Sequence, residues 1–232
     1  MAEGDLVVQR ALDAGCGAVE VLVDAAKPPA IVDRIPDGVP IYAGGDRVRA
    51  MVTQLGVPQG IVAIFERPPR ISADRLRKQA TRLVVVEAVD NPINVGSIVR
   101  NAIALGWDGM IFDYTSADPL SRRSLRVSMG QAISFPAARC TDLPAALRSL
   151  AEVGFTVCAL TPSQDAGDIG ALAITAKMAV VIGSERSGLS AESLTASKHR
   201  IRIPMADGVD SLNAAAASAV ACYALGRLQA RR

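Results

Sequence analysis

Leu83-Val84-Val85-Val86-Glu87-Ala88-Val89-Asp90-Asn91-Pro92-Ile93-Asn94-Val95-Gly96-Ser97-Ile98-Val99-Arg100 opens on an unbroken apolar run, passes a polar turn, and ends in helical spacing. A β-branched run without alternation suits a strand covered on both faces, as in a parallel sheet. The same kind of run returns at 109–112, 155–160 and 178–182, and helices are predicted over 95–105, 143–152 and 190–196. A last strand over 200–203 leads through a loop into a long helix predicted over 211–228. The fold class is α/β, with a parallel sheet in the C-terminal part.

Upstream lies a smaller α/β module. Val7, Val8, Ala11 and Leu12 have helical spacing, and strands are predicted over 18–23, 39–42 and 61–65. Between the last two, Asp46 caps a predicted helix with Val48, Met51, Val52 and Leu55 on one face, followed by a turn over 56–60. Arg67-Pro68-Pro69-Arg70 then stops any helix and stiffens the chain. The predicted organisation is a first domain over 1–66, a basic linker over 67–80, and a second domain over 81–232. The linker carries Arg67, Arg70, Arg75, Arg77 and Lys78. Such a run is either a solvated helix or a phosphate-contacting hinge.

Composition removes several classes of function. The chain has 232 residues, 50% of them hydrophobic and 21% charged, which belongs to a folded protein rather than a disordered tail. No apolar run reaches membrane-spanning length, and the N-terminal residues lack the pattern of a secretory signal, so a cytoplasmic protein is expected. Cys16, Cys140, Cys158 and Cys222 are scattered, which argues against a metal site. The single histidine, His199, sits beside a predicted strand and is read as structural, which leaves little room for a Ser-His-Asp scheme. A net charge of +2 means that any nucleic-acid binding must come from local clusters. With 3% aromatic residues, an extended base-stacking platform is not expected.

Ligands of parallel α/β sheets sit beyond the carboxyl ends of the strands. Three loops there carry polar and glycine chemistry. The first contains Asn94-x-Gly96-x-x-x-Arg100, in which Asn94 can cap the helix and Arg100 lies about one and a half turns in. The plain reading is a capped helix with an exposed arginine. The second is Gly183-Ser184-Glu185-Arg186-Ser187-Gly188, which is neither a dinucleotide fingerprint nor a P-loop. It is also readable as an ordinary strand-to-helix turn capped by Ser190. The third runs from Ile203-Pro204-Met205 to Ser211-Leu212-Asn213. Ser211 is the predicted N-cap, and Asn213 looks out of place just inside a helix full of alanine. The alanines from 214 to 217 allow close approach by another element, such as a partner subunit.

In order and spacing, these loops closely resemble the three motifs of the SpoU/TrmH family, the RNA ribose 2′-O-methyltransferases of the SPOUT superfamily. Arg126-Val127-Ser128-Met129-Gly130 resembles a further family segment, and Glu3-Gly4 with Pro58-Gln59-Gly60-Ile61-Val62-Ala63 is similar to its small substrate-binding domain. The resemblance covers nearly the whole chain. It implies a deep trefoil knot in the second domain, a first domain folded like a small ribosomal protein, and a homodimer. It implies S-adenosylmethionine as cofactor, held by Gly183, Ile203, Met205, Ser211 and Leu212. It also implies a catalytic set of Arg100, Asn94, Glu185 and Asn213. RNA would be gripped by the basic linker residues together with Arg122, Arg123 and Arg126. Three departures are visible: the first domain looks shortened at its start, Arg186 stands where glycine is common, and Ala215 stands where many members have serine. Alternatives are a catalytically silent RNA-binding protein of the same fold and a knotted methyltransferase acting on a base nitrogen. A nicotinamide dehydrogenase lacks its glycine fingerprint here.

Overall fold

The computed structural model describes residues 1–53 and 59–226. In chain order the elements are β1 (Ala2–Glu3), α1 (Asp5–Asp13), β2 (Ala18–Asp24), β3 (Ile41–Gly44), α2 (Asp46–Thr53) and β4 (Ile61–Phe65). They continue with α3 (Ala73–Gln79), β5 (Arg82–Glu87), α4 (Pro92–Ala104), β6 (Gly109–Phe112), α5 (Arg122–Val127) and β7 (Ala137–Arg139). Then come α6 (Leu143–Glu152), β8 (Thr156–Leu160), β9 (Gly167–Asp168), β10 (Met178–Gly183), α7 (Ala191–Ala196), β11 (His199–Arg202) and α8 (Ala214–Ala224). The packing defines two compact units, Met1–Pro69 with Leu120–Ser134, and Arg70–Pro119 with Phe135–Arg232. The last helix, expected to reach 228, ends at Ala224 with Leu225 as its C-cap; Leu55, residues 56–58 and residues 227–228 lie outside the described residues.

The first unit is a four-stranded sheet in the order β1-β4-β2-β3, antiparallel except for the β2–β3 pair. Its helix α2 turns the predicted face outward. Val48, Met51 and Val52 are exposed, whereas Arg49 and Thr53 are buried. The physical reason is that Arg49 finds partners inside: its guanidinium donates to Asp24 at 2.7 Å and to the Gln59 carbonyl at 2.6 Å, and it also pairs with Asp46. A buried cation is tolerated only when paired and hydrogen-bonded in this way. The segment 120–134, lying within the second module of the sequence, packs with this unit. There Arg122 ion-pairs at 3.0 Å with the buried carboxylate of Glu3.

The second unit is a seven-stranded parallel sheet in the order β7-β6-β5-β10-β8-β11-β9. Leu83, Val84, Val85 and Val86 of β5 and Met178 to Val181 of β10 are all fully buried, as the unbroken apolar runs predict. On one face Leu143, Leu147 and Leu150 of α6 meet Leu83, Val85 and Val181. Leu76 and Ala80 join the same core, so α3 is anchored in the second unit rather than being a free linker helix. Each such buried leucine or valine contributes about 1.5–3 kcal/mol relative to exposure.

Helices α4 and α8 pack against each other, and small residues make that possible. Ala214, Ser218, Ala221 and Cys222 are buried along α8, on the side where α4 packs. Asn101 of α4 donates to the Ala215 carbonyl and to the Ser218 hydroxyl, both at 2.9 Å, and the Trp107 indole donates to the Cys222 carbonyl at 2.9 Å.

Beyond β6 the loop is held by Asp113. Burial alone pushes its carboxyl up, but hydrogen bonds from the Ser116 and Thr115 hydroxyls and from the Ala88 and Ser116 amides outweigh that, so the pKa lies below the ordinary value. The ionised carboxylate therefore adds stability that is complete above the unfolded value of about 3.9 and is lost as pH falls through the lower folded value. Thermal melts should accordingly show Asp113→Asn less stable than wild type at pH 7, with the gap closing as pH falls below the unfolded value of about 3.9. A gap constant with pH contradicts this role.

Candidate active site

The C-terminal ends of β8, β10 and β11 share one edge of the sheet, and a cavity of about 420 Å³ opens there. That size suits a small-molecule cofactor. Leu160, Ile182, Leu194, Ile203 and Met205 give it apolar walls, and Gly183, Glu185, Ser211 and Leu212 lie on its rim and lining. Gly183, Ile203, Met205, Ser211 and Leu212, drawn from two loops some twenty residues apart, thus line one space. Thr161 and Pro162 after β8 line it as well. Nothing in the sequence singled them out beyond their place at the end of a buried strand.

The second loop makes its curve by folding back on itself. Gly188 donates to the Ser184 carbonyl at 2.9 Å, and the two residues form an isolated antiparallel bridge. Gly188 has φ of +67°, a conformation that favours glycine. A Cβ at Gly183 would lie 2.5 Å from the backbone carbon and oxygen of Gly188, so the turn closes only over a bare α-carbon. The loop is then tied to the sheet by Glu87, the last residue of β5. Its carboxylate accepts from the Ser190 hydroxyl at 2.7 Å, the Ser193 hydroxyl at 2.9 Å and the Ser190 amide at 3.2 Å. Ser190 caps α7 through the Ser193 amide at 3.1 Å.

Asn94 in the first turn of α4, Glu185 in the second loop and Asn213 at the N-cap of α8 form one hydrogen-bonded cluster. The Asn94 amide donates to Glu185 Oε1. Asn213 donates to the same oxygen at 3.0 Å and to Asn94 Oδ1 at 3.2 Å, and the Ala214 amide approaches Glu185 Oε1 at 3.4 Å. Asn213 is itself the N-cap of α8, accepting from the Ala215 amide at 2.9 Å, so the helix starts later than Ser211 would place it. Asparagine is a strong capping residue, which resolves its oddity as an interior one. The cap of α4 is likewise Asn91, with Pro92 in the first turn, and not Asn94. Freed from capping, the buried Asn94 side chain turns to Glu185.

Arg100 is exposed on α4, six residues beyond Asn94, and among the described residues it makes no ion pair or hydrogen bond. The basic residues divide by their engagements. Arg77 pairs with Asp74 at 2.9 Å, Arg70 with Asp118 at 3.6 Å, and Arg122 with Glu3. Arg75, Lys78 and Arg123 are exposed without an ion pair among the described residues, and Arg67 and Arg126 are also exposed. The cysteines hold their protons: burial pushes the Cys158 thiol up to about 12, and burial with Asp113 and Asp142 pushes Cys140 to about 11. Among the described residues no group of His, Cys, Asp and Glu could hold a metal ion, and no helix is long and apolar enough to cross a membrane.

Residues 81–223 match the model of a family described as the SpoU rRNA Methylase family. The chain is 38% identical over 227 residues to an uncharacterized tRNA/rRNA methyltransferase of Mycobacterium bovis, covering 96% of this chain and 79% of that one. It is 27% identical over 224 residues to the 23S rRNA (guanosine(2553)-2′-O)-methyltransferase of Bacillus subtilis, covering 96% of this chain and 86% of that one. The crystal structure of an AdoMet-bound rRNA methyltransferase from Sinorhizobium meliloti superposes with a TM-score of 0.84 at 26% identity. It covers 98% of this chain and 86% of that chain.

Proposed function

We propose, from the premise that the chain belongs to the SpoU rRNA methylase family, that it methylates a ribose 2′-hydroxyl of ribosomal or transfer RNA with S-adenosylmethionine. The observation that carries the reading is the cluster of Asn94, Glu185 and Asn213, which joins three strand-end loops beside a cavity of suitable size. The AdoMet-bound relative and the 2′-O-methyltransferase relative support the cofactor and the acceptor atom.

The residues present fit the cofactor. The bare α-carbon of Gly183 lets the second loop close on itself, and Gly183, Ser184 and Gly188 lie along the cavity. Gly183, Ile203, Met205, Ser211 and Leu212 hold the adenosine and methionine parts. When bound, S-adenosylmethionine supplies an electrophilic methyl on a sulfonium. The chain's own work is alignment, and fixing two reactants in line is worth about 7–11 kcal/mol of barrier. Glu185 braces Asn94 and Asn213 so that the first and third loops keep one geometry. Arg100 orients the ribose oxygen or its phosphate. A guanidinium holds its proton too tightly to act as the base, so the proton leaves to an acceptor on the substrate side.

The enzyme acts as a homodimer, and the exposed Ile93, Leu212, Val220 and Tyr223 on and around α4 and α8 support such a contact. The insertion of β10 between β5 and β8, with α8 closing on α4, supports a trefoil knot. The 1–66 and 67–80 segments serve RNA binding, the latter through Arg75 and Lys78.

Two measurements test the reading. Incubation with S-adenosylmethionine labelled in its methyl group and fractionated cellular RNA should label one RNA class, and the absence of label in every fraction contradicts the activity. RNA affinity should fall with salt at a log–log slope of about −2 or steeper, from roughly −0.7 per phosphate and at least three exposed cations. A flat dependence removes Arg75, Lys78 and Arg123 from the RNA surface.

A further inference from the structure

All three tyrosines of this aromatic-poor chain are exposed, while Phe112, Phe135, Phe155 and Trp107 are buried. Tyr114 is the most exposed of them at 61%, and it alone follows a strand of the parallel sheet at its carboxyl end. Its loop is built to hold still. Asp113 accepts from the Thr115 and Ser116 hydroxyls and from the Ser116 amide at 2.9 Å. Arg139, the last residue of β7, donates to the Tyr114 carbonyl at 3.2 Å and to the Ser116 carbonyl at 3.3 Å. Its guanidinium carbon sits 5.2 Å from the centroid of the Tyr114 ring and 4.6 Å from that of Phe112. One side of the phenol ring therefore rests on a cation that is itself stacked on a buried phenylalanine, and the rest of the ring faces solvent.

The register places this ring relative to the cavity. Ile182, Val86, Phe112 and Arg139 are aligned partners across β10, β5, β6 and β7, and Gly183 follows Ile182 at the cavity. Adjacent strands are about 4.8 Å apart, so the end of β6 lies about 10 Å along the sheet edge from the end of β10. At ~3.4 Å per stacked nucleotide, that span is about three nucleotides from the cavity proposed to hold the methyl donor.

We infer that Tyr114, backed by Arg139, is a stacking platform for an unpaired RNA base flanking the methylated nucleotide. The inference rests on the RNA-methyltransferase reading and deepens it, because it makes the substrate single-stranded or locally opened near the acceptor. Every base has a π-face, and an aromatic ring held rigidly by its neighbours loses little freedom on stacking. A tyrosine that only covered Arg139 would have no consequence for RNA.

The test uses the full chain and a 16-nucleotide single-stranded RNA of mixed sequence. Tyr114→Phe should bind the RNA within about twofold of wild type, and Tyr114→Ala about tenfold more weakly, the loss expected for removing one base–aromatic stack. Tyr114→Leu, which still covers Arg139, should match wild type in melting temperature but bind RNA as weakly as Tyr114→Ala. In Tyr114→Trp, iodide should quench the introduced indole, Trp107 being 4% exposed, and the RNA should shield it. Methyl transfer to cellular RNA is followed in parallel. If wild type transfers methyl while Tyr114→Leu binds the oligonucleotide as tightly as wild type and RNA leaves the indole open to iodide, the platform is overturned and the enzyme stands. If wild type transfers no methyl to any RNA, the enzyme reading fails, whatever Tyr114 does.

Discussion

Arg100→Ala should lower the rate of methyl transfer by about 10²–10³-fold, the cost of deleting one positioned donor at a reacting oxygen, while S-adenosylmethionine affinity stays within about twofold of wild type. The split follows from where Arg100 lies. It is absent from the cavity lining, so a cofactor held in that cavity is expected to bind without it. It is exposed on α4 and makes no ion pair or hydrogen bond among the described residues, so its removal leaves no buried group unsatisfied. Stability should therefore hold, and the loss should appear in kcat under single-turnover conditions with saturating cofactor. Arg100→Lys keeps the charge but not the planar fork, and should recover only part of the rate. An alanine variant that turns over normally removes Arg100 from the chemistry.

The second large effect belongs to Gly183. Alanine there drives a Cβ to within 2.5 Å of the Gly188 carbonyl group and 2.8 Å of the Leu189 nitrogen. These are backbone atoms of a closed turn and cannot swing aside as a side-chain tip could. Relief must come from opening the turn, which carries Glu185 and the 183–189 part of the cavity lining with it. Overpacking of this kind costs about 1–3 kcal/mol, so cofactor affinity measured by calorimetry should fall roughly 5- to 150-fold. Gly188→Ala is the control. Its Cβ meets open space and only the left-handed backbone is strained, at about 1–2 kcal/mol, so it should cost stability more than affinity. Equal cofactor affinity in Gly183→Ala and wild type would mean that the turn does not shape the cofactor site.

The parallel sheet was legible because its strands are buried on both faces, and burial on both faces writes itself as unbroken runs such as Leu83-Val84-Val85-Val86. Helix α6 was found at its observed limits, Leu143–Glu152, because its leucines repeat on one side. What escaped depends on partners far along the chain. The inward turn of α2 needs Asp24 and the Gln59 carbonyl to accept Arg49, and local periodicity sees neither. Strand β7 is three residues, Ala137–Arg139, with little β-branched content, and its position beside β6 defines it. The segment 120–134 carries no mark of belonging to the first unit until Arg122 meets Glu3.

The candidate site divides in the same manner. Asn94, Glu185 and Asn213 could be selected one by one as residues ill-suited to their surroundings. Their union across sequence separations of 91 and 119 residues could not be read from spacing. Two capping assignments moved by two or three positions, from Asn94 to Asn91 and from Ser211 to Asn213. Both shifts have one cause: several capping residues stood in a row, and tertiary partners decided which was used. Glu87, which ties the second loop to the sheet through Ser190 and Ser193, looks in sequence like an ordinary strand-end carboxylate.

The atom that receives the methyl group is decided by alkaline hydrolysis of RNA labelled from S-adenosylmethionine by this enzyme. A ribose 2′-O-methyl group removes the internal nucleophile that cleaves the next phosphodiester, so ribose transfer predicts label in alkali-resistant dinucleotides. Label recovered in mononucleotides instead would place the methyl group on a base and contradict the assignment of the three joined loops to ribose chemistry.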